Sequence, residues 1–326
     1  MEIQKILSKP EWDEFVDEVK GNPLQLWAWG EVKRLHGWHV ERVFVRDGGV
    51  VVGGAQILYR PLPFPFRSFA YVPRGPLVKD SRISLADLMD VLAAHVKKTR
   101  KSVVLTVEPE VMDVPLPQGW QQSENTVLSP ETVYLDLSHS EEELKRDMNK
   151  STRRAIKKST EALNIRRATT REDLQICLDI LHEASERAGF NLHSDKYYID
   201  IFEQFGDNAA VFIAEYEGEP VAFDWLATSS GCTYDLYGSA NTMGRKLRAN
   251  YGITWHSIAY SQEKGIAYFD FGGMVEGGVS TFKNHWTKSP TVFVGTWDKP
   301  LSPLYVVWSK GLPTALKLLH KIRWGK

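Results

Sequence analysis

WHVERVFVRDGGVVVGGAQIL, residues 38–58, sets two β-rich runs on either side of Arg46-Asp47-Gly48-Gly49. An Asp-Gly pair suits a tight turn whose central residues need positive φ, so the stretch predicts an antiparallel hairpin of Trp38–Val45 with Val50–Leu58. AVFIAEYEGEPVAFDWLAT, residues 210–228, repeats the design, with Ala210–Tyr216 and Val221–Thr228 flanking Glu217-Gly218-Glu219-Pro220. Outward from each hairpin the order also repeats. Helical patterns at Pro10–Val19 and Leu24–Leu35 precede the first, and a strand near Phe69–Val72, a helix at Leu85–Thr99 and a strand at Val103–Val107 follow it. Around the second come helices at Arg171–Arg187 and Ser194–Phe205, a strand at Tyr234–Gly238, a helix at Tyr251–Lys264 and a strand at Ile266–Phe271. Twice over, the order is helix, helix, hairpin, strand, helix, strand. It predicts two duplicated α/β domains with mixed sheets.

Composition narrows the class. The 326 residues are 43% hydrophobic and 25% charged, as in ordinary globular proteins. The longest near-apolar run, Val50–Tyr59, is about half the ~20 residues that a spanning helix needs. The first fifteen residues mix charges with apolar residues and do not read as a signal peptide. Two cysteines do not make a disulfide framework, and together these features lead us to expect a cytoplasmic protein. The formal net charge is −1, but it is unevenly sorted. Lys145–Lys158 holds seven basic residues against Asp147, and the tail from Trp308 holds Lys310, Lys317, Lys321, Arg323 and Lys326 with no acid. Each reads either as a solvated helix face or as a cationic surface for the phosphates of RNA or anionic lipid. The tail also carries Leu312, Leu316, Leu319 and Ile322 at helical spacing within Pro303–Ile322. It is expected either to dock as core or to touch a membrane from its cytoplasmic face.

Several chemistries have no sequence signature here. There is no Gly-x-Ser-x-Gly elbow, Walker loop or dinucleotide fingerprint. His36 and His39 have no partner at metal spacing, and Cys177 sits on an apolar helix face as a core residue. No metal and no cofactor are expected. Three segments exceed the needs of folding. Leu24–Lys33 followed by Gly37-Trp38 puts Trp27, Trp29 and Trp38 near Lys33, either an aromatic pocket with one cation or a tryptophan-rich core with an exposed lysine. Tyr268–Gly273 ends a buried strand in paired glycines, which permit close backbone approach. Gly277-Gly278-Val279-Ser280-Thr281-Phe282-Lys283 places a lysine beside a glycine-rich turn, either aimed at developing negative charge or free in solvent.

In order, these segments resemble the Fem family of aminoacyl-tRNA-dependent peptidyltransferases that build peptidoglycan cross-bridges. The resemblance runs through the Gln25–Lys33 segment, Gly53-Gly54-Ala55-Gln56, Tyr71–Pro76, Arg187-Ala188-Gly189-Phe190, Leu236-Tyr237-Gly238, Tyr268–Gly273 and Phe282-Lys283. It implies two tandem GNAT-like acyltransferase domains. We place the first at residues 1–140 with a return segment at 296–326, and the second at 141–295. Leu163 runs straight into Asn164-Ile165-Arg166, which matches the compact branch without a coiled-coil arm.

By the same resemblance Lys283 stabilises the tetrahedral oxyanion and Phe282 helps place the tRNA 3′ end. Lys33 binds the precursor's diphosphate, with Trp29, His193, Tyr197 and Tyr237 lining the acceptor groove. Lys150, Arg153, Arg154 and Lys157 are the expected tRNA contacts. The implied partners are aminoacyl-tRNA as co-substrate and either the UDP-linked muropeptide or its lipid-linked form, with the enzyme acting as a monomer. His193 falls where compact relatives carry a phosphate-binding arginine, and histidine lacks that residue's bidentate fork. Arg187 is a candidate substitute. Two other readings remain open from sequence. An acyl-CoA-dependent transferase would need a glycine-rich pyrophosphate turn where Arg245-Lys246-Leu247-Arg248-Ala249-Asn250 stands. A non-catalytic relative binding RNA or a lipid surface would not need both Lys33 and Lys283.

Overall fold

A computed structural model describes residues 1–274 and 278–311, with the backbone alone at 278–280. From the N-terminus, β1 (Glu2–Lys5) and α1 (Lys9–Glu18) lead through a 3-10 turn (Pro23–Gln25) to α2 (Trp27–Leu35). The expected single helix over 24–35 is therefore broken. The Asn22 side chain accepts from Leu24 N at 3.0 Å and starts the turn, and Leu26 is extended (ψ 153°) before the helix resumes. The hairpin follows as β2 (His39–Asp47) and β3 (Val50–Pro61), in register from His39 opposite Tyr59 to Asp47 opposite Val50. Gly48 and Gly49 at its tip have φ of +53° and +83°. β4 (Ser68–Val72), β5 (Leu77–Val78), α3 (Leu85–Thr99), β6 (Val104–Val107) and β7 (Gln121–Gln122) complete this half. Helix α3 starts where Ser84 accepts from Asp87 N, and it buries Leu88, Leu92 and Val96 in a core with Val43, Ile57, Leu105 and Trp297.

The second half opens with β8 (Glu131–Asp136), α4 (Glu141–Asp147) and α5 (Lys150–Ala162). Ser140 and Glu143 form the reciprocal capping box that their spacing predicts for α4. Then come β9 (Asn164–Arg167), α6 (Arg171–Ala188), α7 (Asp195–Phe205), β10 (Ala209–Tyr216), β11 (Glu219–Thr228) and β12 (Cys232–Ala240). The chain continues through α8 (Thr242–Leu247), α9 (Ala249–Glu263), β13 (Tyr268–Gly273), α10 (Gly278–Lys283), β14 (Thr291–Val292) and β15 (Trp297–Pro300). Residues 305–311 are helical. The rest of the expected terminal helix, with Leu312, Leu316, Leu319 and Ile322, lies outside the described residues. So do the tail cations from Lys317 on, and Gly277.

Two mixed sheets result, in the orders β1-β2-β3-β4-β6-β15-β7 and β9-β10-β11-β12-β13-β8-β14, with β5 paired to β3. Each contains an antiparallel meander, then one parallel pair, β4 with β6 and β12 with β13, joined by a helical crossover. In each sheet the strand beyond the parallel pair comes from outside the run: β15 sits between β6 and β7, and β8 between β13 and β14.

By internal contacts one compact unit comprises Met1–Phe15, Lys33–Pro130 and the chain from Val292. The other comprises Val16–Val32 and Glu131–Thr291. The division drawn from sequence, 1–140 with 296–326 against 141–295, differs from these units at two places, the boundary at 140 and residues 16–32. Strand β8 pairs with β13, so the second unit begins at Glu131. The chain from Val292 includes β15, which pairs with β6 in the first unit. Residues 16–32 are tied to the second unit by hydrogen bonds from Ser229 Oγ to Gly21 O (2.6 Å) and from Ser230 N to Asp17 Oδ1 (2.9 Å).

Close backbone packing is the design of the second unit's crossover. A Cβ at Gly244 in α8 would lie 2.2 Å from the Val221 carbonyl oxygen of β11. Gly244→Ala is expected to cost about 1–3 kcal/mol, read as a lower urea midpoint with unchanged slope.

Candidate active site

The parallel pair of the second unit creates the site. β12 and β13 are in register at three positions, Cys232 with Tyr268, Thr233 with Phe269 and Tyr234 with Asp270. Beyond them β12 stays with β11 while β13 turns to β8, so the strands separate at their carboxyl ends. Such a split leaves strand-end backbone groups without sheet partners and makes a crevice suited to ligands.

Lys283 fills that opening. It closes the short helix α10, which replaces the glycine-rich turn expected from sequence. Its ammonium donates to the carbonyls of Phe271, Gly272 (3.1 Å) and Gly273 (3.0 Å). Gly272 has φ +70°, and a Cβ there would lie 2.9 Å from the Asp235 carbonyl oxygen and 3.7 Å from Lys283 Nζ. The close approach read from Tyr268–Gly273 is thus a real requirement for glycine. Phe282 packs edge-on against Tyr251 (4.9 Å) and Trp286 (5.8 Å).

Three aspartates, none singled out from sequence, surround the ammonium electrostatically. Asp224 on β11 accepts from Ser257 Oγ at 2.5 Å, and Asp270 on β13 accepts from Thr132 Oγ1 (2.5 Å) and Gly272 N (2.9 Å). Asp235 on β12 shares a hydrogen bond with Asp224. Burial raises both carboxyls of this pair, and the charge of Asp224 raises Asp235 further. Burial lowers the Lys283 ammonium, opposed by Asp235, Asp270 and Asp224. The arrangement is a shared-proton acid pair facing a partly desolvated cation. The signal for it was in the sequence: AFDWLA, TYDLYG and YFDFGG each set one Asp inside an apolar strand, where Asp is disfavoured.

The expected groove residues divide between the units. In the second unit His193, exposed, lies over Tyr197 at 4.2 Å, and the hydroxyls of Tyr237 and Tyr197 share a hydrogen bond. Tyr198 stands edge-on to Tyr237 at 4.9 Å, and its hydroxyl accepts from His193 N at 3.2 Å. The structure therefore brings together His193 from the loop before α7, Tyr197 on α7 and Tyr237 on β12. Trp29 is buried and meets Phe205 at the far end of α7, 6.5 Å between rings. Arg187 is engaged with Glu183 (3.5 Å) and the Ala240 carbonyl (3.4 Å). Lys33, in the first unit, is lowered to about 8 by burial and by the Arg60 charge.

The basic helix also sorts its residues. Lys150, Arg154 and Lys157 are exposed on α5, while Thr152, Ala155, Ile156 and Ser159 are buried. Arg153 is half-buried and donates to the carbonyls of Lys145 (3.0 Å) and Met148 (2.5 Å) at the end of α4, a structural role. The chain passes from α5 to β9 through Leu163 alone, with no inserted arm.

The two mixed sheets with a helical crossover at each parallel pair are a tandem GNAT-like fold. The structure superposes on the crystal structure of FemX with a TM-score of 0.83 at 19% identity, covering 95% of this chain and all of that one. A tandem GNAT protein from the clavulanic acid biosynthesis pathway matches with a TM-score of 0.54 at 14% identity, over 93% and 99% of the two chains. Residues 7–115 and 118–220 match the FemAB family model, and the chain belongs to that family. Its curated relatives include the lipid II:glycine glycyltransferases of Staphylococcus epidermidis (20% identical) and Staphylococcus aureus (21%), each aligned over 97% of both chains. Those alignments span 407 and 417 positions against 326 residues here, so the relatives carry insertions that this chain lacks.

The acid pair has a stability signature. Both carboxyls of the folded pair are raised above an unfolded Asp, which releases its proton near pH 4, so the pair's contribution to stability declines as pH rises above that value. Asp235→Asn removes the titration. The expected outcome is a flatter dependence of urea-unfolding free energy on pH above about 4 than in the wild type.

Proposed function

We propose that this FemAB-family chain is an aminoacyltransferase. It would move an amino acid from an aminoacyl-tRNA ester to the stem-peptide amine of a peptidoglycan precursor, with the lipid-linked precursor as acceptor. The observation that carries the reading is the Lys283 ammonium held in the opening between two separating parallel strands of a tandem acyltransferase fold. The names of the staphylococcal relatives supply the acceptor class.

The chemistry asks little beyond position and charge. The amine nitrogen attacks the ester carbonyl carbon, a C–N bond forms, the ester C–O bond breaks, and the tRNA ribose hydroxyl leaves with a proton. The ester is already activated, so holding the amine close and stabilising the tetrahedral oxyanion supply most of the rate. Lys283 is the donor for that oxyanion. It must exchange one of its three carbonyl partners for the oxyanion, and the nearby aspartates favour its charged form. Phe282, adjacent in sequence, suits placement of the tRNA end. The aromatic group of His193, Tyr197 and Tyr237 suits the acceptor's sugar and peptide surface, and Lys33 its diphosphate. His193 offers no bidentate fork and Arg187 is already engaged, which disfavours the nucleotide-linked precursor.

The test is transfer by the purified chain with a panel of charged tRNAs against lipid-linked and UDP-linked precursors. Product is expected with the lipid-linked acceptor and only with charged tRNA; turnover of acyl-CoA instead would reject the assignment. In that assay Lys283→Met should lower kcat by about 10²–10³-fold with the fold retained. A wild-type kcat would remove Lys283 from the chemistry. The exposed face of α5 is the proposed tRNA contact. Reversing Lys150, Arg154 and Lys157 to Glu should weaken tRNA binding and reduce the slope of log affinity against log salt by about one per residue. An unchanged slope places the tRNA elsewhere.

A further inference from the structure

The first unit presents a surface that none of these roles uses. Its centre is the loop Pro61–Arg67, PLPFPFR, at whose tip Phe64 is 95% exposed. The loop is anchored beneath: Leu62 and Phe66 pack on Val103, Val104, Tyr305 and Trp308, and Phe69 stacks on Trp308 at 5.3 Å. Phe64 is thus held outward by a packed base. On the helical segment 305–311, which contributes Tyr305 and Trp308 to that base, Val306 and Val307 are 58% and 61% exposed.

Charge surrounds these apolar groups with one sign. The stretches 60–69, 95–104 and 301–311 contain seven Lys and Arg and no Asp or Glu. Two clefts join the stretches: one of about 210 Å³ between His39, Tyr59, Arg67 and Arg100, and one of about 280 Å³ between Phe66, Arg67, Lys97, Lys101 and Leu304. Arg67, Lys97, Lys98, Arg100 and Lys101 form no ion pair with any described residue. The carboxylates of Glu41 and Asp298 that reach this region are buried and engaged, Glu41 with Lys5 (2.6 Å), Tyr59 (2.8 Å) and His95 (3.2 Å), and Asp298 with Tyr305 (2.8 Å).

We propose that this surface docks the first unit on an anionic lipid bilayer, with Phe64 entering the interface and Arg67, Lys97, Arg100 and Lys101 meeting lipid phosphates. Cations alone would serve an RNA equally well. The protruding phenylalanine and the exposed valines distinguish the partner, because they gain free energy only in a medium with an apolar layer. Each Lys or Arg near an anionic surface adds about 1 kcal/mol, so five unpaired cations and one buried aromatic ring suffice for reversible attachment. The inference deepens the lipid-linked reading of the acceptor, which explains why a bilayer would be close, but vesicles without precursor test it independently.

The experiment is co-sedimentation of the full chain with vesicles of phosphatidylcholine, with and without phosphatidylglycerol. The wild type is expected to bind only the phosphatidylglycerol vesicles. The double variant Arg67→Glu/Lys101→Glu should lose about thirtyfold or more in partitioning, and Phe64→Ser about tenfold. Thermal melts should match the wild type, since all three side chains are exposed. Wild-type partitioning of either variant overturns the proposal. Loss of tRNA binding in the charge variant with vesicle binding intact also overturns it and gives the surface to RNA. Failure of the transfer assay with vesicle binding intact would reject the enzymatic reading alone.

Discussion

The second unit is organised around the place where two parallel strands stop being partners. β12 and β13 share three register positions and then separate, and the carbonyls of Phe271, Gly272 and Gly273 at that strand end converge on the Lys283 ammonium. Buried backbone carbonyls need donors, and this cation supplies one to all three. That solution brings a second requirement, because a desolvated cation needs negative charge nearby. Asp224, Asp235 and Asp270 supply it from three adjacent strands, and sharing one proton limits their own repulsion. Gly272 completes the arrangement, since a side chain there would strike β12.

The exchanged strands constrain how the chain can be divided. Each sheet takes the strand beside its parallel pair from a distant part of the sequence, β15 in one and β8 in the other. The second sheet is complete on the contiguous stretch from β8 to β14, whereas the first needs β15 from beyond it, so the duplication seen in the element order is not a pair of equivalent cassettes. Asp298 on β15 accepts from Thr106 Oγ1 (2.5 Å), Ser123 Oγ (2.7 Å) and Tyr305 Oη (2.8 Å), which fixes the returning strand by side chains as well as by its ladder.

Legibility followed the strength of local signals. The Asp-Gly hairpin, the α3 helix, the Ser140–Glu143 capping box and the parallel strand ending in Gly272-Gly273 were readable because each depends on neighbours in sequence. Short strands such as β8, β9 and β15 were not, because four to six residues on a sheet edge or across a long connection carry little periodicity. The basic helix was legible as a charge run, but only packing separates Arg153, bonded to the end of α4, from the exposed Lys150, Arg154 and Lys157. The aspartates were visible as anomalies, one acid in each of three apolar strands, yet nothing local says that the three converge.

The sequence by itself determined the duplicated α/β order, the turn positions and the family, and it placed Lys283 beside a glycine-rich segment that follows a glycine-ended strand. These rest on spacing and backbone preference, which act over a few residues. The tertiary structure alone decided that β8 opens the second sheet, and that Val16–Val32 joins the second unit. It also decided that three distant aspartates surround one ammonium and that Phe64 stands exposed amid unpaired cations. Each of these depends on contacts between residues far apart in the chain, whose energies come from burial and charge proximity. No local pattern encodes either.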